Sequence, residues 1–311
     1  MKLKKPKFWD YKKPNYLSYL LLPFTLPLLI NNFYLSQKNT VKKNITTICV
    51  GNIYIGGTAK TPLTIKIDQI LNNLNFKTVT IKKFYKDQND EQELLNNKTK
   101  LYCFKKRTNA LDAAIKDGAD IAVFDDGLQD GSINYDLNFI CFNNLKWIGN
   151  GFLIPAGPLR EKIQSISKYD AIFLNGNEEN TDDLKLIIKK YNSNIKIFET
   201  YYMPNNISKF DKNDKFITFS GIGNPESFTK TLIKNGFNII NELKFPDHYQ
   251  YTLNDINKIK SHAKKLNAKI ITTEKDYVKI DSNQSNEISF LGIDIVIKQE
   301  EKLINFIKSK I

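Results

Sequence analysis

From residue 45 onward, short runs of β-branched and aromatic residues alternate with longer amphipathic stretches, and this alternation restricts the fold more than any other feature of the chain. The strand-like runs are 45–50, 78–81, 121–124, 138–142, 171–174, 195–199, 216–219, 237–243, 269–272 and 288–297. Between the first two, Leu63, Ile67, Ile70, Leu71 and Leu74 recur at helical spacing behind Pro62, a residue that a first helical turn tolerates. Strand, helix, strand in this order predicts an α/β fold with a mostly parallel sheet sandwiched by helices. The pattern lapses at 200-TYYMPNNISKFDKND-214. A chain of 311 residues accommodates two cores, so the expected division is a core domain over 41–205 and a second, smaller α/β domain over 206–311, preceded by a distinct segment over 1–40.

The stretch 49-CVGNIYIGGTAKTPLTIKI-67 lies between the first strand and its helix, where a phosphate-binding loop belongs. Main-chain N–H groups of Gly56, Gly57, Thr58 and Ala59 at a helix N-terminus can wrap a phosphate chain. Lys60 would reach the terminal phosphates and the Thr61 hydroxyl would ligate Mg²⁺. Two positions depart from the usual loop: Tyr54 replaces its first glycine, and Ala59 replaces the glycine before Lys-Thr. Alanine still presents its N–H if its φ is negative, so the loop is read as a working nucleotide site; a glycine-rich turn without chemistry is the competing reading. The run 120-DIAVFDDGLQD-130 ends an apolar strand in Asp125 and Asp126, at the sheet edge where carboxylates bridge a metal to a nucleotide. Paired carboxylates at a buried strand end need a cation beside them, which favours the metal role over a surface Asp-Asp-Gly turn.

Forty-six Lys and Arg against thirty-three Asp and Glu leave a formal charge of +13, which points to an anionic partner: nucleotide, nucleic acid or a negatively charged membrane face. Lysines scattered among Asn and Ile also suit an ordinary solvated surface. The average polarity excludes a multi-span membrane protein. Cys49, Cys103 and Cys141 are odd in number, widely spaced and set in apolar runs, as reduced thiols of a cytosol-facing protein would be. At the N-terminus, Lys2, Lys4, Lys5, Lys7, Lys12 and Lys13, with Phe8, Trp9, Tyr11, Tyr16 and Tyr19, accompany the apolar stretch 16-YLSYLLLPFTLPLLI-30. Pro23 and Pro27 interrupt it, and it falls short of the ~20 clean apolar residues of a spanning helix. No small-residue cleavage pattern follows. The combination suits a membrane-associated helix lying among anionic headgroups; a helix packed on the main core is the alternative. The sequence carries no internal repeat and no metal-type Cys/His cluster.

Taken in order, several stretches resemble the tetraacyldisaccharide 4′-kinases, which phosphorylate a lipid A precursor. They are VGNIYIGGTAKTP at 50–62, DDGLQ at 125–129, GNGFLIPAGPLRE at 149–161, FSGIGNPESF at 219–228, FPDHYQYT at 245–252 and TTEKDYVK at 272–279. The resemblance implies a P-loop NTPase-like core, ATP as cosubstrate, Mg²⁺ as cofactor, and transfer of the γ-phosphoryl group to the 4′-hydroxyl of an acylated disaccharide 1-phosphate. It also implies a peripheral or monotopic enzyme on an anionic membrane surface, at the cytoplasmic face of the inner membrane. Beyond the N-terminus the sequence shows no aromatic-basic stripe on which bases would stack, so no nucleic-acid partner is expected, and no obligate protein partner is evident. The family's catalytic pair maps onto Asp90 in 89-NDEQELL-95 and His248 in FPDHYQYT. Asn89 and Gln92 stand where the family has glycine and proline, 82-KKFYK-86 lacks the glycines of its Arg-Gly-Tyr-Gly run, and Asp130 stands where histidine is common.

Phosphoryl transfer needs alignment, charge neutralisation and a proton acceptor. On the resemblance, Lys60, the loop amides, Mg²⁺ and Arg160 would offset charge on the transferring group, while Asp125, Asp126 and Glu161 would hold or orient the metal. Asp90 would accept the hydroxyl proton, aligned by His248; His262, in a Lys-rich helical run, is the weaker candidate. Arg107 could grip the substrate's 1-phosphate, with Gln129, Asn150 and Arg160 also on the substrate side. Thr273 and Lys275 close a strand and are assigned no chemistry. Two other classes stay open: a P-loop kinase of a soluble small molecule, and a non-catalytic basic protein whose binding to any polyanion would fall steeply with salt.

Overall fold

A computed structural model of the chain describes residues 5–37, 40, 42–86, 88–176 and 180–311, so Lys2 and Lys4 lie outside the described residues. Helices α1 (Tyr16–Leu20) and α2 (Leu26–Gln37) precede strand β1 (Thr46–Gly51), helix α3 (Lys60–Asn73) and strand β2 (Thr78–Lys83). Next come α4 (Asn89–Lys98), β3 (Leu101–Phe104), α5 (Arg107–Lys116), β4 (Ile121–Asp125), β5 (Leu137–Asn143) and β6 (Ala171–Asn175). They are followed by α6 (Asp182–Tyr191), β7 (Lys196–Pro204), β8 (Lys215–Ser220), α7 (Pro225–Lys234), β9 (Asn238–Lys244) and α8 (Leu253–Lys265). The chain closes with β10 (Lys269–Thr273), α9 (Glu274–Tyr277), β11 (Ile288–Leu291), β12 (Ile293–Ile297) and α10 (Glu300–Lys308).

Two units emerge, one formed by Met1–Phe84, Thr99–Tyr202 and Ile295–Ile311, the other by Tyr85–Lys98 and Met203–Asp294. The change at Tyr202 falls close to the expected 205, but each unit also takes a piece the sequence assigned elsewhere. Residues 85–98 carry α4 to the second unit, and the last seventeen residues return to the first. The run 288–297, read as one strand, breaks at Gly292, and its halves join different sheets. Asn205 and Asn206 hold that break: Asn205 donates its N–H to the Gly292 carbonyl at 3.0 Å, and the Gly292 N–H donates to Asn206 Oδ1 at 2.9 Å. A Cβ on Gly292 would lie 2.3 Å from Asn205 Oδ1, so any larger residue there would have to displace the Asn205 side chain.

In the first unit the sheet order is β12-β7-β6-β5-β1-β4-β2-β3, and from β7 to β3 every pairing is parallel. Such strands are buried on both faces and read as continuous apolar runs, which is why β1, β4 and β6 were legible. On one face Leu63, Ile67, Ile70 and Leu71 of α3 and Leu303 and Ile307 of α10 meet Ile48, Val50, Val123 and Phe139. On the other, Ala110, Leu111 and Ala114 of α5 pack on Cys49, Ala122 and Phe124. The strand after β1 in sequence lies beyond β4, whereas β5 pairs on its other side, so the order reverses at β1. Ligands of open parallel sheets bind at the carboxyl ends of strands at such a reversal.

The second unit holds a parallel four-stranded sheet ordered β11-β10-β8-β9. Ile256, Ile259 and Ala263 of α8 cover one face, and Phe228 and Leu232 of α7 cover the other.

The N-terminal segment is broken where the prolines require it. Pro23 lies in a 3₁₀ turn (Leu22–Thr25) and Pro27 in the first turn of α2. Among the described residues no helix is long and apolar enough to cross a membrane. The segment's polarity is inverted: Ser18 and Thr25 are buried against the unit, while Tyr16, Phe24 and Phe33 are 76%, 65% and 63% exposed.

Candidate active site

Strand β1 ends at Gly51, where a Cβ would lie 2.5 Å from Leu128 Cγ, so the chain must leave the sheet on a glycine. The loop then climbs to the N-terminus of α3, whose first-turn N–H groups have no intrahelical acceptors and carry the positive end of the helix dipole. Gly56 has φ +138°, a conformation that side chains rarely adopt. Ala59 has φ +69°, which corrects the expectation of a negative φ: alanine here occupies the left-handed conformation a glycine would take freely. Asn52 braces the loop by donating from Nδ2 to the Thr58 hydroxyl at 2.8 Å, and its Oδ1 is buried without a hydrogen-bond donor.

Helix α3 and strand β4 bring the expected phosphate and metal residues together. The Thr61 hydroxyl donates to Asp125 Oδ2 at 3.1 Å, and Lys60 Nζ lies 3.9 Å from Asp126 Oδ1. Asp125 is fully buried at the end of β4, in register with Val50 on one side and Lys82 on the other. Lys82, itself 2% exposed, places Nζ 2.6 Å from Asp125 Oδ2. Asp126 turns out of the sheet with φ +55°, its N–H donating to the Val50 carbonyl at 2.8 Å and its Oδ1 accepting from Arg160 at 3.0 Å. Burial pushes the Asp126 carboxyl up, but the cations of Lys60, Arg160 and Lys82 outweigh it and hold the group below the usual carboxylate range.

The remaining expected residues of this unit form the frame around that edge. Arg160 also donates to Gln129 Oε1 at 3.0 Å, and Gln129 Nε2 donates to Glu161 Oε1 at 2.8 Å and to the Asn52 carbonyl at 3.0 Å. Glu161, expected near the metal, accepts the Tyr169 hydroxyl at 3.0 Å on both oxygens. Arg107, expected at a substrate phosphate, is 4% exposed and spends one terminal nitrogen on Asp130 and the other on the Asp126 carbonyl, each at 2.7 Å. Asn150 is also internal, donating to the Ser18 hydroxyl at 2.9 Å and the Ala156 carbonyl at 3.0 Å. The N-terminal segment grips the same frame. The Tyr54 hydroxyl donates to Asp10 and accepts from Lys5, Trp9 donates its indole N–H to the Pro155 carbonyl at 3.0 Å, and Asn32 donates to the Arg160 carbonyl at 2.8 Å.

Asp90 and His248, expected as a pair, are a pair within the second unit. His248 Nδ1 lies 3.1 and 3.0 Å from the two Asp90 oxygens, and the His248 backbone is left-handed at φ +56°. Asp90 is fully buried, whereas the His248 side chain keeps 22% exposure. Burial pushes Asp90 up, but the hydrogen bond from His248 and the cations of Lys275 and Lys279 hold it below the ordinary range.

Sequence reasoning missed Lys82, which lies some forty residues from its partner; only the parallel register of β2 on β4 brings them together. Mg²⁺ favours oxygen donors and keeps several waters, binding through one or two carboxylates and substrate phosphates. The Thr61 hydroxyl beside Asp125 and Asp126 is a donor set of that kind, so the residues fit the ion; among the described residues no cluster of three His, Cys, Asp or Glu could hold it alone.

The family described as LpxK, tetraacyldisaccharide-1-P 4'-kinase, matches residues 19–311. A tetraacyldisaccharide 4'-kinase of Pelagibacter ubique (strain HTCC1062) is 50% identical over 305 residues, covering 98% of this chain and 97% of that one. One from Rickettsia bellii (strain OSU 85-389) is 32% identical over 331 residues, covering 100% and 99%. Among solved structures, LpxK from Aquifex aeolicus, crystallised in complex with ATP, is 23% identical and superposes with a TM-score of 0.70 over 94% of this chain and 99% of that one.

Proposed function

This chain belongs to the tetraacyldisaccharide-1-P 4'-kinase family, kinases of lipid A biosynthesis, and from that premise we propose how its residues divide the reaction. The α3 N-terminus and the N–H groups of the 56–60 loop hold the phosphates of ATP, with Lys60 and Arg160 neutralising the transferring group. Thr61, Asp125 and Asp126 would hold Mg²⁺, which when bound supplies charge neutralisation between the phosphates. Gln129 and Glu161 keep Arg160 in place, and Arg107 keeps the Asp126 turn in place. The Asp90–His248 pair takes the proton of the sugar 4′-hydroxyl as its oxygen bonds to the γ-phosphorus. The bond from that phosphorus to the bridging oxygen breaks, ADP leaves with its electron pair, and the pair returns the proton to water.

The N-terminal segment is proposed to rest in the anionic leaflet that holds the acylated substrate, at the cytoplasmic face. Its inverted polarity supports this, because Tyr16, Phe24 and Phe33 face outward while the Ser18 and Thr25 hydroxyls turn in.

The observation that carries the kinase reading is the convergence of Lys60, Thr61, Asp125, Asp126 and Arg160 at one reversal point of a parallel sheet. Transfer of labelled phosphate from ATP to the acylated disaccharide 1-phosphate, with and without Mg²⁺, tests it. Lys60→Ala is expected to lower turnover on the order of a thousandfold with the fold retained. Near-normal turnover in that variant, or equal transfer to water-soluble sugars, refutes the assignment.

A further inference from the structure

An isolated carboxylate as deeply buried as Asp90 would take up a proton rather than stay charged, and a neutral carboxyl cannot hold an imidazole for proton uptake. Two ammonium groups meet it, both from 272-TTEKDYVK-279, the segment to which the sequence assigned no chemistry. Lys275 Nζ lies 3.5 Å from Asp90 Oδ2, 3.3 Å from Glu91 Oε1 and 3.7 Å from Asp247 Oδ1. Lys279 Nζ, 2% exposed, lies 3.7 Å from the same Asp90 oxygen and 2.6 Å from Asp276 Oδ1. The other Asp276 oxygen accepts the Gly221 N–H at 3.0 Å and the Thr273 hydroxyl at 2.7 Å. The Gly221 carbonyl in turn accepts the His248 N–H at 3.1 Å. Contacts therefore run from Asp90 through Lys279, Asp276 and Gly221 to His248, and the bond between ring and carboxylate closes the circuit.

We infer that Lys275 and Lys279 are positioning residues of the transfer reaction, which, anchored through Asp276, keep Asp90 charged and seat His248 where Nδ1 meets that carboxylate. The inference rests on the Asp90–His248 reading given above. Every element packed against Asp90 contributes a charged or titratable group to its surroundings. His248 and Asp247 come from the turn after β9, Glu91 and Glu93 from α4 itself, and Lys275, Asp276 and Lys279 from α9 and its exit, where Tyr251 covers Lys279 at 5.4 Å. With both ammonium groups present, Asp90 stays below the usual carboxylate range despite its burial.

The test is the pH dependence of kcat/KM for the full chain in Lys279→Met, Lys279→Arg, Lys275→Met and Asp90→Asn, joined to ¹⁵N spectra of the imidazole rings. The chain has only two histidines, so the His248 signals are assigned by one substitution. Lys279→Met is expected to raise the acid limb by about one to two pH units, with the Nδ1 signature of the bond to Asp90 lost below it. Lys279→Arg should keep the wild-type limb. Lys275→Met, at the more exposed side, should move the limb the same way by less, and it carries the test if methionine at 279 prevents folding. An unchanged limb in the lysine variants, with Asp90→Asn inactive, overturns the positioning role and leaves the pair standing. Wild-type turnover in Asp90→Asn overturns the pair and this inference with it.

Discussion

A left-handed backbone costs alanine about 1–2 kcal/mol. Ala59 stands there, and two effects oppose the strain. Its methyl group packs in the same cluster as Val50 and Leu63, a burial worth about 0.8 kcal/mol, and alanine has about 0.4–1 kcal/mol less unfolded-state entropy to lose than glycine. Because these effects offset, Ala59→Gly is expected to change stability by less than about 1 kcal/mol in thermal unfolding. Ala59→Val, branched at Cβ in the same conformation, should lose more than about 2 kcal/mol and weaken ATP binding in calorimetry. A gain above that range in the glycine variant would mean the methyl contributes nothing. At this scale the sequence was informative where partners are neighbours on one strand or turn: Lys60 and Thr61 follow their loop, and Asp125 and Asp126 end their strand. It was uninformative where a partner arrives through sheet register, as Lys82 does, or through a distant helix, as Lys279 does.

Among the elements, the strands that escaped or misled sequence reading are those that leave the doubly covered interior. Strand β3 is four residues long at the sheet edge and half-exposed along its length, and its short Leu-Tyr-Cys-Phe run is hemmed in by lysines and Arg107, so it lacks the length that marks β1 or β4. The 288–297 run is mostly apolar, with Ser289 and Asp294 the polar positions, and the glycine at 292, pinned by two asparagines far back in the chain, marks where it passes between two sheets. The return of the chain to the first sheet is fastened by Glu199 on β7, which accepts from Lys185 of α6 at 2.7 Å and from Lys298 after β12 at 3.0 Å. Burial pushes Glu199 up, but the hydrogen bonds from Lys185, Thr181 and Lys298 outweigh it and bring it to about 2. A carboxylate held low in the folded state stabilises above its unfolded pKa of about 4.3, and the contribution is lost as pH falls towards 2. Glu199→Gln should therefore lower stability near neutral pH by no more than about 1 kcal/mol after solvent screening. Melting curves of the two proteins should converge between pH 4 and 2, and a constant gap across that range would mean the ion pairs are not its source.

At the scale of the whole molecule, the +13 charge and the outward aromatic side chains of the N-terminal segment predict association with anionic vesicles that weakens as salt rises. Replacing Phe24 and Phe33 by Ala should release protein from such vesicles in sedimentation while leaving transfer to a detergent-dispersed acceptor; undiminished sedimentation would place the contact elsewhere. The segment's other role follows from Tyr54, whose hydroxyl is shared by Asp10 and Lys5, and from Arg160, whose carbonyl is held by Asn32. Trimming residues 1–35 to obtain a more tractable protein would thus unfasten the loop at Tyr54 and the segment at Arg160. Such a fragment would be a poor surrogate for the intact enzyme even with a fully water-soluble acceptor, because the arm proposed to meet the lipid is also woven into the frame proposed to hold the fuel.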